Sequence, residues 1–383
     1  MDPEESLLSG VLEMDIEGRA KRLQLQRKAN DRQPESEERD FSAEESEKNL
    51  SILSRALEDH EVFTDSENER LVVHRVVSGG AEQSGPVRIS DAVLEQIRGA
   101  VALAPLHNPA ALEGIEAMMT LFPELPHVAV FDTGFHSSMP ERARRYALPD
   151  ALTSHHPIRR FGYHGISHEF VAAAATEFLS PEASPRKLVS LHLGSGASAA
   201  AVVDGRCIDT SMGMTPLEGL VMGTRSGDTD PSISFYLARE LGLELSEIER
   251  LYNEDSGLKG LCGSADMRTV QQRADRGDER AQFAIELYCY RICKTIGAYH
   301  VAMGGLDCLV FTAGVGENNP LVRKRTIDGL AALGVKLDGQ ANAKPKNGVR
   351  RISASDSAIT ALVVPTDEEL HMARKASKLV SRQ

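Results

Sequence analysis

Five short runs put residue types that could do phosphate or carboxylate chemistry beside glycines or at a helix start. Arg225 stands in TPLEGLVMGTRSGDTDP, residues 215–231, between Gly223 and Gly227. A planar guanidinium among small neighbours can fork onto a phosphoryl group or a carboxylate, which the point charge of a lysine cannot match bidentately. The alternative is a surface arginine in a flexible loop. HLGSGAS, residues 192–198, ends a strand on Gly194 and Gly196. Without Cβ atoms there, backbone N–H groups can approach an anion, although two glycines also make a plain hairpin turn. FTAGVGEN, residues 311–318, opens a buried strand onto Gly314, Gly316, Glu317 and Asn318 as a Gly-rich loop, ahead of a helix starting near Pro320. It lacks the G-x-G-x-x-G spacing and the P-loop lysine, which argues against a dinucleotide fold.

The fourth run, RRFGYHGISH at 159–168, sets His164 and His168 four residues apart. No Glu follows the first His as H-E-x-x-H chemistry demands, so a histidine aimed at a ligand, or a satisfied structural one, is preferred to a metal pair. In the fifth, VPTDEEL at 364–370, Thr366 and Glu369 make a capping-box pattern. That pattern engages Glu369 with the helix start and leaves Glu368 to face a cation.

Strands have to carry these runs. LVVHRVV, ending at Ser78-Gly79-Gly80, and HVAVFDT both read as strands, and Ser138 with Glu141 predicts a capped short helix after the second. KLVSLHLGSGASAAAVVDGRCIDTS reads as strand, glycine turn, strand, Asp204-Gly205 turn and strand. A long helix follows over 280–303, then the buried strand of LDCLVFT and a last strand-to-helix unit in AITALVVPTDEELHMARKA. Strands alternating with helices predict an α/β fold. Nearer the start, LSILSRAL has helical spacing, whereas residues 27–49 are almost wholly polar and predict a solvated loop or a frayed helix.

The chain's 383 residues favour two domains. Its net charge of −13 opposes nucleic acid and anionic lipid and suits a small-molecule substrate held by local arginines. Five cysteines, an odd number with no C-x-x-C pair, suggest neither a disulfide framework nor a zinc site but reduced thiols in a cytoplasmic protein. Cys289 and Cys293, four apart in the long helix, read as core packing. MDPEESLLSG has neither a basic n-region nor an apolar h-region, and no apolar stretch reaches the roughly 18 residues of a membrane span.

Taken in order, HRVVSGG, LAPLHNP, VFDTGFHSSMP, RRFGYHGISH, HLGSGAS, DTSMGMTPLEGLVMGTRSGDTDP, FTAGVGEN and PTDEEL resemble the acetate kinase family, within the acetate and sugar kinase, Hsp70 and actin fold group. The resemblance implies a two-domain actin-like (ribonuclease H-like) ATPase fold with a cleft between domains. Residues 1–133 would form the first domain, with helix 367–383 packing back on it, and 134–366 the nucleotide-binding and dimerisation domain of a homodimer. It also implies reversible Mg²⁺-dependent phosphoryl transfer from ATP to acetate. By the same resemblance Arg75 and Arg225 hold the carboxylate and the transferring phosphoryl, Asp132 orients the reacting groups, His164 binds the phosphoryl, and Glu368 attends the magnesium. Val77, Leu106, Tyr163 and Pro216 would line a pocket for the acetate methyl. His192, Gly194, Ser195, Gly196, Asp266, Met267, Arg268, Gly314, Val315, Gly316, Glu317 and Asn318 would contact the nucleotide.

The sequence also departs from the family's pattern. Ser195 stands where Asn is usual, Ser78 where His is usual, and Tyr163 where Phe is usual, putting a hydroxyl near the methyl pocket. The family's opening run N-x-G-S-S-S-x-K has no counterpart here, and a start codon assigned too late is the favoured explanation. An impaired, nucleotide-binding relative and a propionate kinase are the alternatives.

Overall fold

The computed structural model describes residues 8–14, 20–27 and 35–40, as backbone, together with 70–80, 84–105, 107–179, 186–344 and 348–381. β1 (Leu8–Met14), β2 (Ala20–Arg27) and β3 (Glu35–Asp40) form an antiparallel sheet in that order. β3 corrects the expectation of a loop or frayed helix over 27–49. Its ladder with β2, from Arg22 opposite Asp40 to Arg27 opposite Glu35, supplies the backbone hydrogen bonds that a polar composition does not announce. The helical spacing at LSILSRAL falls outside the described residues.

β4 (Val72–Val76), β5 (Val87–Arg88) and β6 (His127–Phe131) make a second sheet, with β4 parallel and β5 antiparallel to the central β6. α1 (Asp91–Gly99) starts on Ser90, whose hydroxyl accepts from the Val93 amide. With α2 (Asn108–Leu121) it covers one face, where Val76, Ile97, Ile115 and Phe131 are buried together.

α3 (Gly165–Phe178) then leads to the largest sheet, which begins with the antiparallel meander β7 (Lys187–Leu193), β8 (Ala197–Val203) and β9 (Arg206–Thr210). Five helices follow: α4 (Ser232–Glu240), α5 (Leu245–Glu254), α6 (Gly257–Cys262), α7 (Met267–Asp275) and α8 (Glu279–Met303). β10 (Cys308–Thr312), α9 (Ala313–Asn318), α10 (Pro320–Gly329), β11 (Arg350–Arg351), β12 (Thr360–Val363) and α11 (Glu368–Val380) complete the chain. The strand order is β11-β12-β10-β7-β8-β9, and β10 runs parallel to both β7 and β12. All five residues of β10 are buried, as expected of a strand covered on both faces. The main core, with Leu191, Phe311, Ile285 and Ile292, lies against α8, while Leu188, Val310 and Leu362 meet Val171 and Ala175 of α3 on the other face. Cys289 is buried in that main core, as its spacing suggested.

Two predicted capping boxes are not formed. Pro140 stands at the start of the helical turn Glu141–Arg144, and the Ser138 hydroxyl instead donates to the carbonyl of Cys207 at 2.8 Å. At α11 the cap is Asp367, which accepts from the Leu370 amide at 2.9 Å, while the Thr366 hydroxyl accepts from Ser167 at 3.0 Å. Tertiary partners have captured both hydroxyls. The run 313–318, expected as a Gly-rich loop, is helical in α9, because the Glu317 carboxylate turns back to accept from the Ala313 amide at 2.9 Å. No helix among the described residues is long and apolar enough to cross a membrane.

Candidate active site

The parallel registers bring strand ends to one place. Thr312 of β10 lies beside His192 of β7, and Val363 of β12 beside Phe311, so the turns after these strands share an edge. Val76 of β4 pairs with Phe131 of β6, and Asp132 follows directly. In open α/β sheets the carboxyl ends of the strands are where ligands bind.

Gly165 joins the two sheets. Its amide donates to the Asp132 carbonyl at 2.9 Å, and a Cβ there would lie 2.1 Å from that oxygen. The close approach sets His164, in the left-handed region at φ 56°, over the end of β7. Its ring stacks on His192 with centroids 4.2 Å apart, and its Nδ1 is 2.9 Å from the Ser198 hydroxyl.

The hairpin glycine Gly196 marks where three runs meet. A Cβ on it would stand 3.3 Å from His164 Nε2 and 3.5 Å from Arg225 Nη1, so the imidazole and the guanidinium border the same gap above the glycine backbone. The Ser195 carbonyl accepts from the Gly223 amide at 3.0 Å, which pins the hairpin to the loop bearing Arg225. Arg225 Nη1 donates to the Pro216 carbonyl at 3.1 Å. Burial alone lowers its pKa, with no carboxylate among the described residues to offset it. Such a guanidinium favours an incoming anion.

Arg75 is bound differently. Its Nε and Nη2 donate to the two carboxylate oxygens of Asp132 at 3.2 and 2.6 Å, and Glu368 Oε2 lies 3.6 Å from its Nε. Asp132 raises the Arg75 pKa, whereas burial pushes the carboxyls of Asp132 and Glu368 up and Arg75 pulls against both shifts. His107 faces Arg225, Arg75 and Asp132, and burial and then the two guanidiniums hold its pKa down.

Behind His164 runs a chain of buried hydroxyls and imidazoles. Ser198 Oγ sits between His164 Nδ1 and His168 Nε2, the latter at 2.8 Å, and His168 Nδ1 reaches Ser190 at 2.6 Å. His192 Nδ1 reaches Ser167 at 2.8 Å. His164 and His168 thus share a serine, and among the described residues no group of three or more His, Cys, Asp or Glu is placed to hold an ion.

The apolar candidates divide. Pro216 lines a cavity of about 480 Å³ with His107, Arg225, Ala104 and Pro105. Tyr163 is buried, with its hydroxyl on backbone carbonyls, and Val77 packs against the main core, while Leu106 lies outside the described residues. Among the nucleotide candidates, Gly194, Ser195 and Gly196 form the turn between β7 and β8. Gly314 has open space where a side chain would be, while Gly316 packs towards β10 and Val315 against the core. Asn318 is exposed and donates to the Gly314 carbonyl at 3.0 Å. The Glu317 carboxylate is engaged by the amides of Ala313 and Thr366. Asp266 caps α7 and pairs with the exposed Arg268. Met267 is 3% exposed in the main core, which leaves its backbone rather than its side chain for a ligand.

Sequence reasoning passed over His107, Ser167, Ser190 and Ser198. His107 lay in a quoted run, LAPLHNP, with no spacing partner to single it out. The serines become visible only when β7, β8 and α3 bring them under the histidines.

Against known proteins, the sequence profile of the acetokinase family matches residues 1–374. An acetate kinase of Syntrophobacter fumaroxidans is 50% identical over 309 residues, 81% of this chain and 75% of that protein. One from Sulfurovum sp. is 46% identical over 334 residues, 87% of this chain and 84% of that one. Among solved structures, a propionate kinase from Francisella tularensis superposes with a TM-score of 0.84 at 39% identity, covering 97% of this chain and 96% of that one. Porphyromonas gingivalis acetate kinase gives 0.83 at 36%, covering 98% and 97%.

Proposed function

Because the chain belongs to the acetokinase family and has the two-domain actin-like ATPase fold of its structural relatives, we propose that it is an acetate kinase, transferring the terminal phosphoryl of ATP reversibly to acetate to give acetyl phosphate and ADP. The observation that carries this reading is the gap over Gly196, bordered at once by His164 Nε2 and Arg225 Nη1.

In this reading an acetate oxygen attacks the terminal phosphorus in line, the new P–O bond forms, and the bond to the ADP oxygen breaks. No strong base is needed, since the carboxylate is already ionised at neutral pH. The transition state spreads charge over three equatorial oxygens, so positioning and cationic stabilisation do most of the work. Arg225, free of carboxylate partners among the described residues, meets that charge together with His164. Arg75, held in one orientation by Asp132, steers the acetate carboxylate, and Pro216 borders the cavity that takes its methyl, with Tyr163 buried behind that wall. The nucleotide lies along 192–196, 266–268 and 314–318. Residues 1–133 with helix 367–383 make one domain and 134–366 the other, with Ala376 of α11 packing on Val128 and Val130 of the first and also on Ile166 of the second.

Glu368, whose carboxyl pKa is pushed up by burial and which has a single 3.6 Å approach to Arg75 Nε, is the residue that would hold a magnesium ion, since both oxygens of Asp132 are engaged by Arg75. Magnesium usually takes one or two carboxylates and completes its shell with water and phosphates. When bound it would neutralise charge on the phosphates.

The five free cysteines suit a reducing cytoplasm. A homodimer suits α4, which has no buried residue and leaves Phe235 62% and Tyr236 57% exposed. Light scattering of Phe235→Glu tests that, a wild-type monomer or an unchanged dimer counting against it.

The activity test traps acyl phosphate as the hydroxamate from acetate, ATP and Mg²⁺, with propionate in parallel. No hydroxamate from either acid ends the kinase reading. Faster turnover of propionate would replace acetate, an outcome kept open by the Francisella tularensis structure.

A further inference from the structure

The wall of the proposed acid pocket is wired to the protein through one phenol. The cavity of about 480 Å³ is lined by three segments, Ala104, Pro105 and His107 in the first, Thr215 and Pro216 in the second, and α5 with Ser246, Glu249 and Asn253 in the third, together with Arg225. The first two are distant in sequence. The first follows the helical turn Val101–Leu103, and the second is the loop after β9. The Tyr163 hydroxyl touches both, donating to the Met214 carbonyl at 2.6 Å and facing the Leu103 carbonyl at 3.2 Å. Tyr163 is 1% exposed, and burial raises its pKa, so the hydroxyl keeps its proton.

Met214 is held from its other side as well. Its amide donates to the Tyr146 hydroxyl at 3.0 Å, and that phenol in turn donates to Glu218. Arg160 pairs with the same Glu218 and donates to the carbonyls of Thr210, Ser211 and Met212, each at 3.0 Å. The far wall is therefore anchored within its own half of the molecule by Tyr146 and Arg160. The Tyr163 hydroxyl adds the tie to Leu103 in the opposite segment.

We propose that the Tyr163 hydroxyl is a strut that fixes the distance between the two walls of the acid pocket and so sets the length of acyl chain the enzyme accepts. This rests on the assignment of that cavity to the carboxylate substrate. Tyr163 acts as a positioning residue, since its hydroxyl is spent on backbone carbonyls and leaves none for the acid. The sheet and the cationic groups do not depend on the tie. Its removal leaves the Met214 carbonyl without that donor, takes away the hydroxyl that also faces the Leu103 carbonyl, and lets the 103–105 and 214–216 segments separate.

The test is Tyr163→Phe, which keeps the ring and its packing. Kinetics with acetate, propionate and butyrate are read beside backbone amide exchange of residues 214–218. One hydrogen bond corresponds to about a fivefold effect, and one methylene in an apolar pocket to about tenfold or more. The expected result is a rise in KM for acetate of about three- to tenfold, a butyrate-to-acetate ratio of kcat/KM raised about fivefold or more, an unchanged KM for ATP, and faster exchange at 214–218. An unchanged chain-length ratio overturns the proposal, as does unaltered exchange. If the wild type phosphorylates none of the three acids, the kinase reading fails on its own, and the exchange measurement still decides whether the strut exists.

Discussion

Arg75 and Asp132 form a two-point clamp, Nε to Oδ1 at 3.2 Å and Nη2 to Oδ2 at 2.6 Å, with unequal exposure: the arginine side chain is 42% exposed and the aspartate 1%. Removing either partner therefore has different consequences. Asp132→Asn leaves a half-exposed cation beside Glu368 and should cost mainly activity, through lost aim. Arg75→Ala leaves a buried carboxyl without its strongest counter-charge and should cost stability too. Breaking a fully buried pair costs about 3–5 kcal/mol, and solvent screening at Arg75 discounts that to about 1–3. The pH sign follows from burial raising the Asp132 pKa. Without Arg75, the folded state holds that proton above the unfolded value, so stability is full at low pH and lost as pH rises through the raised pKa. Urea melts of Arg75→Ala and wild type at each pH between 4 and 8 should show the variant's midpoint falling further below the wild-type one as pH rises; a constant difference removes the clamp from the account.

Arg225 is anchored by Nη1 on the Pro216 carbonyl with no carboxylate to share its charge among the described residues. Arg225→Ala should lower kcat by about 100- to 1,000-fold, the scale for losing one charge-stabilising donor. Lysine should recover little, since it cannot hold the carbonyl and a phosphoryl oxygen through one planar fork. A loss below tenfold would take Arg225 out of the site.

The framework was readable because its signals are local. An apolar five-residue run predicted β10, the turn residues Asp204 and Gly205 predicted the β8–β9 connection, and the long helix ended at Gly304 as expected. Where partners come from far away, the sequence was silent. Ser138 and Thr366 look like helix caps by spacing, yet β9 and α3 take their hydroxyls. β3 is made a strand by β2 rather than by its own composition. In the site, the glycines and Arg225 announced themselves through residue type. The relay behind His164 did not, because a serine has no pattern until the fold puts a histidine on either side of it.

That relay gives a test of its own. Ser198 Oγ lies 2.9 Å from His164 Nδ1 and 2.8 Å from His168 Nε2, so one hydroxyl fixes which ring nitrogen of His164 carries the proton at its back, and hence what Nε2 presents to the gap over Gly196. Ser198→Ala removes the bridge while keeping a small residue in β8. Losing one such bond is worth about 1 kcal/mol, so kcat should fall about fivefold or more, with KM for ATP unchanged. A merely structural serine would lower thermal stability and leave kcat alone, and that pattern would dismiss the relay.

The buried imidazoles make the fold sensitive to acid. Burial lowers the pKa of His74 and His136 to about 4 and of His192 to about 3, and holds His164 and His168 well below the ordinary value. A group depressed in the folded state binds its proton more readily once unfolded. Its contribution is therefore complete above the unfolded pKa near 6.5 and is lost as pH falls through that value. Each histidine that stays neutral in the fold while the unfolded chain takes up its proton adds to the loss of stability as pH falls, by at most about 1.4 kcal/mol per pH unit. The raised carboxyls of Asp132 and Glu368 act in the opposite sense, from their raised pKa down to the ordinary carboxylate range. Five histidines outnumber these two carboxyls, so between about pH 6.5 and 5 the urea midpoint should drop and aromatic near-ultraviolet dichroism should be lost with it. A midpoint that holds constant down to pH 5 would mean that the cluster is hydrated and protonated in the native protein, and the neutral relay behind His164 would go with it.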